Sequence, residues 1–219
     1  MRLILLALML ALAAGPVVAA PYGTLMRTRV IFDGLAPARR DRLELVLRML
    51  HHDKADASPV HLYVDDAGKH VPLTVDESGT LPAVVNPDYL ARDVPVLSDP
   101  PHLALDMDIS LHIVTPPGPA VKMVDLQAGV AQAQDVFRAG ARAMGGMLAV
   151  LAAPSVHGVA VKPVTCCDVV ARLEAGSRSM TVAEGKDGLV RISNAALADF
   201  TAGTLRLTAP ISWIDTDTD

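Results

Sequence analysis

The chain has 219 residues, 51% of them hydrophobic and 20% charged, with a formal net charge of −5. That balance predicts a packed core and excludes global disorder, and the mild acidic excess excludes the clustered lysine and arginine of a nucleic-acid binder. Aromatic residues are only 3%, with Trp213 the single tryptophan, which argues against stacking platforms for sugars or single strands.

Met1-Arg2 leads into the apolar run Leu3–Leu12, a break at Gly15-Pro16, and small residues up to Ala20-Pro21. This is the layout of a secretory signal peptide. Cleavage is expected after Ala19, because a cut after Ala20 would put Pro21 directly behind the scissile bond. Residues 1–19 are therefore read as a signal peptide and 20–219 as a single exported domain, periplasmic or secreted. Without Arg2 the mature chain is one charge more acidic than the full chain. Arginine outnumbers lysine and alanine is abundant, a bias of GC-rich bacterial genomes that favours the periplasm.

The first element expected in the mature chain is a strand at Thr28–Phe32, on its alternation. Leu43, Leu45, Leu47 and Met49 alternate in the same way and predict a second strand. A helix starting near Pro37 is the competing reading there, since Ala38–Leu50 contains no breaker.

Histidines gather next, at His51, His52, His61 and His70, with Asp53, Asp65 and Asp66 between them. A zinc site needs three or four ligands converging at about 2.0–2.2 Å. These spacings follow no ligand motif, and His51 and His52 would point apart on a strand, so solvated loop histidines are the expectation.

A faint internal repeat runs from this point. Val60–Gly68 reads against Val169–Ser177, and the same offset pairs Leu73 with Val182, Gly79 with Gly188 and Leu81 with Val190. A one-residue change of offset then pairs Asn86 with Asn194 and Leu97 with Leu205. Both stretches read as strand, turn, strand, glycine turn, strand, irregular stretch, strand. The near-constant spacing predicts a duplication of residues 60–105 in 169–214; two ordinary β-meanders would share the pattern by chance. Between them, Asp106 and Asp108 fall on one face of a strand, where an exposed acidic edge is a safer reading than paired acid–base work.

The clearest helix is Leu126–Met144, where Leu126, Val130, Ala133, Phe137, Ala141 and Met144 form one apolar stripe. Asp125 is placed to cap its start, Arg138 and Arg142 to meet its negative end, and Gly145-Gly146 to stop it. Ala143–Val161 is uncharged and close to the roughly 20 residues that a spanning helix needs. Gly145-Gly146, Pro154, His157 and Gly158 break it, so a buried hairpin is expected instead, with strands Met147–Ala152 and Val159–Val164.

Cys166-Cys167 is the most unusual local pair. Export implies an oxidising compartment. Neighbouring Cα atoms are about 3.8 Å apart, below the roughly 4.4–6.8 Å of ordinary disulfides, so a bridge needs a distorted turn. A vicinal disulfide at the entry to the second repeat, a buried reduced pair and an intermolecular bridge all remain open, with a structural role favoured over redox or metal chemistry. The tail Asp215–Asp219 alternates carboxylates but lacks the glycine and closing glutamate of a calcium loop, which predicts a solvated terminus.

No Gly-x-Ser-x-Gly elbow, HExxH or phosphate-binding glycine loop is present, and Gly140 and Gly145-Gly146 fit no such spacing. Ser155 and His157 are neighbours on a turn, which implies no hydrogen bond between them. The expected fold is α+β, mainly antiparallel sheet, built from two related β segments with one long amphipathic helix between them. The expected function is a non-enzymatic binding or envelope-assembly accessory protein. Its partner would be an unidentified protein or envelope component, with no cofactor, no nucleic acid and no stable membrane span. An exported hydrolase using dispersed groups such as His61, His102 or Asp106 is the second reading, and His-based metal handling the third.

Overall fold

The computed structural model describes residues 19–53, 58–99, 105–151, 153–165 and 169–218, with backbone alone at 19 and 146–151. It mixes helix and sheet, and its sheets are mainly antiparallel. The chain divides into two compact units, one of residues up to Gly34 plus Leu45–Ile109, the other Leu35–Glu44 plus Ser110–Asp219.

In the first unit, β1 (Ala19–Pro21) leads directly into α1 (Tyr22–Asp33). The segment expected to be a strand at Thr28–Phe32 is helical. Its inward residues are Tyr22, Leu25, Met26 and Phe32, at steps that suit a helix face, and Arg29 and Asp33 make an i,i+4 ion pair at 2.9 Å. The alternation read from the sequence was real but too short to decide the period.

The chain then supplies β2 (Leu43–His51), β3 (His61–Asp66), β4 (Lys69–Leu73), α2 (Pro87–Arg92), β5 (Pro95–Asp99) and β6 (Leu105–Ile113). The strand reading of Leu43–Met49 is correct, and Pro37–Arg39 forms only a 3-10 turn before it. Strands β1, β5, β3 and β4 lie side by side in that order. Beyond β4, Thr80 makes a single bridge to Arg48 of β2. Helix α2 is set by local chemistry: Pro87 pre-forms its first turn and Asn86 Oδ1 accepts from the backbone N–H groups of Asp88 and Tyr89.

The second unit carries β7 (Ala120–Lys122), α3 (Met123–Leu151), β8 (Gly158–Pro163), β9 (Val170–Ala175), β10 (Arg178–Ala183), β11 (Val190–Ser193), α4 (Asn194–Asp199), β12 (Thr204–Leu207) and β13 (Ile211–Asp217). Strands β7, β12, β9 and β10 form one sheet in that order. Another runs β11-β8-β13-β6-β2, to which β6 and β2 contribute the ends that belong to this unit. Leu126, Leu173, Ile192, Leu197, Leu205 and Ile214 are fully buried and make its core.

Helix α3 is longer than expected. Its stripe is buried at Leu126, Ala133 and Ala141, but it starts at Met123 and runs through Gly145-Gly146 to Leu151. Asp125 thus lies in the first turn rather than at the cap, where its carboxylate pairs with Arg42 at 2.9 Å. A glycine inside a helix costs only about 1 kcal/mol, which the rest of a long helix can outweigh. The expected strand at Met147–Ala152 is accordingly absent: 147–151 is helical and Ala152 lies outside the described residues, whereas Val159–Val164 is largely β8. Gly129 is buried against Ile113, where an added Cβ would meet the Ile113 side chain at 2.6 Å, so α3 approaches β6 closely at this point.

The expected solvated tail is also a strand. Ile214–Asp217 pairs with β8 from Val161 to Gly158, and Thr216 is buried. Only Asp219 lies outside the described residues.

Along the chain, β1-α1-β2-β3-β4-α2-β5-β6 is followed by β7-α3-β8-β9-β10-β11-α4-β12-β13, a series with one more strand, β11, before its short helix. Within their own sheets, β1-β5-β3-β4 and β7-β12-β9-β10 hold corresponding positions.

Candidate binding cleft

An open cleft of about 660 Å³ lies in the second unit, where the end of β10 meets the turn that follows it. Its walls are Lys162 of β8, Val169-Val170 at the start of β9, Thr181–Ala183 of β10, and the segment Glu184–Gly188. The hairpin β9–β10 positions these residues. Arg178 pairs with Ala175 across a two-residue turn, and Gly176 takes a φ of +60°, which glycine adopts at little cost. At the far end the chain turns again, with Gly188 donating to the Gly185 carbonyl at 3.0 Å and Gly185 to that of Leu189 at 2.8 Å. Gly188 sits at a φ of +73°, and an added Cβ would come within 2.9 Å of Lys162 Nζ.

The charges in the cleft are unequally committed. Asp187 is held by Arg191 at 2.7 Å, and this hydrogen-bonded guanidinium keeps its carboxyl below the usual carboxylate range. Glu184 accepts from the backbone N–H of Val169 at 3.2 Å. Lys162 Nζ reaches only the Gly188 carbonyl, at 3.5 Å, and Lys186 makes no ion pair among the described residues. Lys162 and Lys186 therefore both line a cleft whose carboxylates already hold hydrogen bonds. Among the described residues that line the cleft, Thr181 carries the only hydroxyl and there is no histidine or cysteine. Such a set can bind and orient a polar ligand; among its described residues no nucleophile is paired with a base.

The residues singled out from sequence lie elsewhere. His51 is buried at the end of β2, not solvated in a loop, with Nε2 2.9 Å from the Ser58 carbonyl. His52 is exposed and its Nδ1 lies 3.1 Å from Asp106. His61 is exposed on β3, and His70 on β4 packs its ring on Tyr63 at 4.3 Å. Asp65 accepts from the N–H of Gly68 in the β3–β4 turn, and Asp66 pairs with Arg92. Among the described residues no group of three or more histidines, cysteines or carboxylates could hold a metal.

Asp106 and Asp108 do not work as a pair: Asp106 faces His52 and Asp108 faces Arg48 at 3.5 Å. His102, Cys166 and Cys167 lie outside the described residues, as does the segment Met1–Val18. Ser155 is exposed, and His157 bonds Asp217 through its backbone N–H. No described helix is long and apolar enough to cross a membrane.

The sequence reading missed the cleft. The Glu184–Gly188 turn was visible as a glycine signal, but nothing local linked it to Lys162, which β8 supplies from the other sheet. No protein-family model, curated protein or solved structure matches the chain.

Proposed function

We propose that this chain is an exported, periplasmic or secreted, non-enzymatic protein that binds a ligand or envelope component in the β10 cleft. The observation that carries the reading is the cleft's chemistry: Lys162 and Lys186 at the walls, both carboxylates engaged, and a turn rich in backbone groups. An acidic group, such as a carboxylate or a phosphate, is the chemistry two such ammonium groups attract. The leader-like residues 1–19 and the bias of the composition support export. The test is a native intact mass of protein purified from its export compartment. A mass increment that falls away in a Lys162→Ala, Lys186→Ala double variant supports the reading. A chain at its bare mass that also captures no envelope component on crosslinking overturns it.

The scaffold is, on this proposal, a duplicated unit, with residues 60–105 and 169–214 as two related β segments and the long helix α3 between them. The repeated element order and the corresponding sheet positions support it. An experimentally determined structure in which the two segments superpose strand for strand is the expected outcome, and differing connectivity would end the idea.

A further inference from the structure

Strands β4 and β10 each end a four-stranded sheet, and only one of these edges is protected. In a two-residue hairpin the pair flanking the turn exchanges hydrogen bonds, and alternate residues then point their N–H and C=O outward. From Asp66↔Lys69 this places His70 and Pro72 on the open edge of β4. Pro72 has no N–H to offer, and Lys69 and His70 flank it, so the edge resists a further strand.

The same alternation from Ala175↔Arg178 puts Ser179, Thr181 and Ala183 on the open edge of β10. All three are exposed, none is proline, and none of their backbone groups bonds outward among the described residues. The opposite phase of the strand holds Arg178, Met180 and Val182, with Glu184 next in the alternation. Met180 and Val182 stand opposite the buried Leu173 and Ala171, yet Met180 is exposed. The apolar face of the sheet therefore continues onto an uncovered edge strand.

The geometry points to a second copy of this chain as the occupant of that edge. Antiparallel pairing of β10 with its own copy, centred on Thr181, sets Ser179 against Ala183 and Thr181 against Thr181, each pair formed by outward-facing groups. The same register sets Met180 against Val182 and Arg178 against Glu184. The stripe arginine, methionine, valine, glutamate is thus complementary in charge and apolarity to itself run backwards. Neighbouring registers break this match: centring on Met180 sets Arg178 against Val182, and centring on Val182 sets Met180 against Glu184. In the monomer Arg178 lies over the Phe200 ring at 4.9 Å and donates to the Asp199 carbonyl at 3.1 Å, at the exposed rim of the sheet. It can meet Glu184 of a second copy from that rim, and four-stranded sheets would join into one of eight. Such isologous pairing closes on itself and leaves no further β10 edge.

The test is sedimentation velocity of the mature chain across a wide concentration range, with thiols kept reduced so that Cys166 and Cys167 cannot bridge copies. A concentration-dependent dimer is expected. Thr181→Pro, which gives β10 the feature β4 has, should leave a monomer. Arg178→Glu and Glu184→Arg should each raise the dimer dissociation constant by about tenfold, and the double exchange should restore it, with thermal midpoints confirming that each variant folds. A wild-type chain that stays monomeric at every concentration overturns the proposal, as does a dimer indifferent to the charge exchanges. Thr181–Glu184 also line the cleft, so ligand mass is read on the wild-type chain and the lysine double variant, and association on the β10 variants. The failure of one measurement is thereby told apart from the failure of the other.

Discussion

The hairpins β3–β4 and β9–β10 occupy corresponding places in their sheets and are built differently at every point where the sheet meets solvent. Each has a fully buried residue at its centre, Val64 in β3 and Leu173 in β9. Each turns through two residues, both with positive φ in the first, Ala67 and Gly68, and only Gly176 in the second. The first edge carries Pro72 and a lysine; the second carries neither. The first hairpin is tied to α2 by the Asp66–Arg92 ion pair; in the second the position of Asp66 is taken by Ala175, and the tie to α4 is made by Arg178, which donates to the Asp199 carbonyl. The comparison teaches that core positions are set by the fold, while edge positions are set by what each edge must accept or refuse.

The strongest way to break that comparison is at its shared core. Leu173→Ala should cost about 2–5 kcal/mol in a urea melt, because Leu173 is fully buried in a central strand. Met180→Ala, opposite it on β10 and exposed, should cost well under that, within about 1 kcal/mol. Equal costs would mean that β10 is covered in the folded monomer.

The turns come next. Gly68→Ala and Gly176→Ala meet no neighbouring atom within 4 Å, so each carries only the backbone cost of a positive φ, about 1–2 kcal/mol. A thermal melt in which either variant is neutral would show that its turn relaxes to another type. At the edges, Pro72→Ala should leave the melting temperature nearly unchanged while making the chain associate through β4, read by sedimentation. No added association would assign the protection to Lys69 and the neighbouring histidine instead.

The smallest effect is a pH dependence confined to the first hairpin. The Arg92 guanidinium, hydrogen-bonded to Asp66, lowers that carboxyl below its ordinary value of 3.8. A depressed folded-state value stabilises the fold above the unfolded value and is lost as pH falls through the folded one. The protection of the β3–β4 amides, measured relative to their intrinsic exchange rate at each pH, should therefore fall below about pH 4 in the wild type. Asp66→Asn should flatten that response and leave β9–β10 unaffected, since Ala175 has nothing to titrate. An unchanged profile would show that the pair is screened by solvent.

How far these features were legible depended on how local their causes were. The strands at Leu43–Met49, His61–Asp66 and Val170–Ala175 were readable because alternation and turn residues sit within each. The stripe of α3 was readable for the same reason. Its end was not, because Gly145-Gly146 signals a stop that a long helix can override. Helix α1 was missed because five alternating residues fit either period and the buried Tyr22 and Leu25 lay outside that window. The tail became a strand through β8, whose pairing is far away in sequence. The cleft needed Lys162 and the Glu184–Gly188 turn together, and only the sheet brings them into one place.

The unit boundaries fall at Gly34, within β2 between Glu44 and Leu45, and within β6 between Ile109 and Ser110. A ribbon that changes allegiance in mid-strand cannot be divided by one clean cut, and neither half is a contiguous gene segment. For a polypeptide delivered amino end first, Leu35–Glu44 emerges long before the residues from Ser110 onward that complete its own unit. That early segment must wait, uncommitted, while the rest of the other unit, Leu45–Ile109, passes it by. The second unit is thus the last to close, and its schedule is written into the threading of the chain rather than into the strength of any contact.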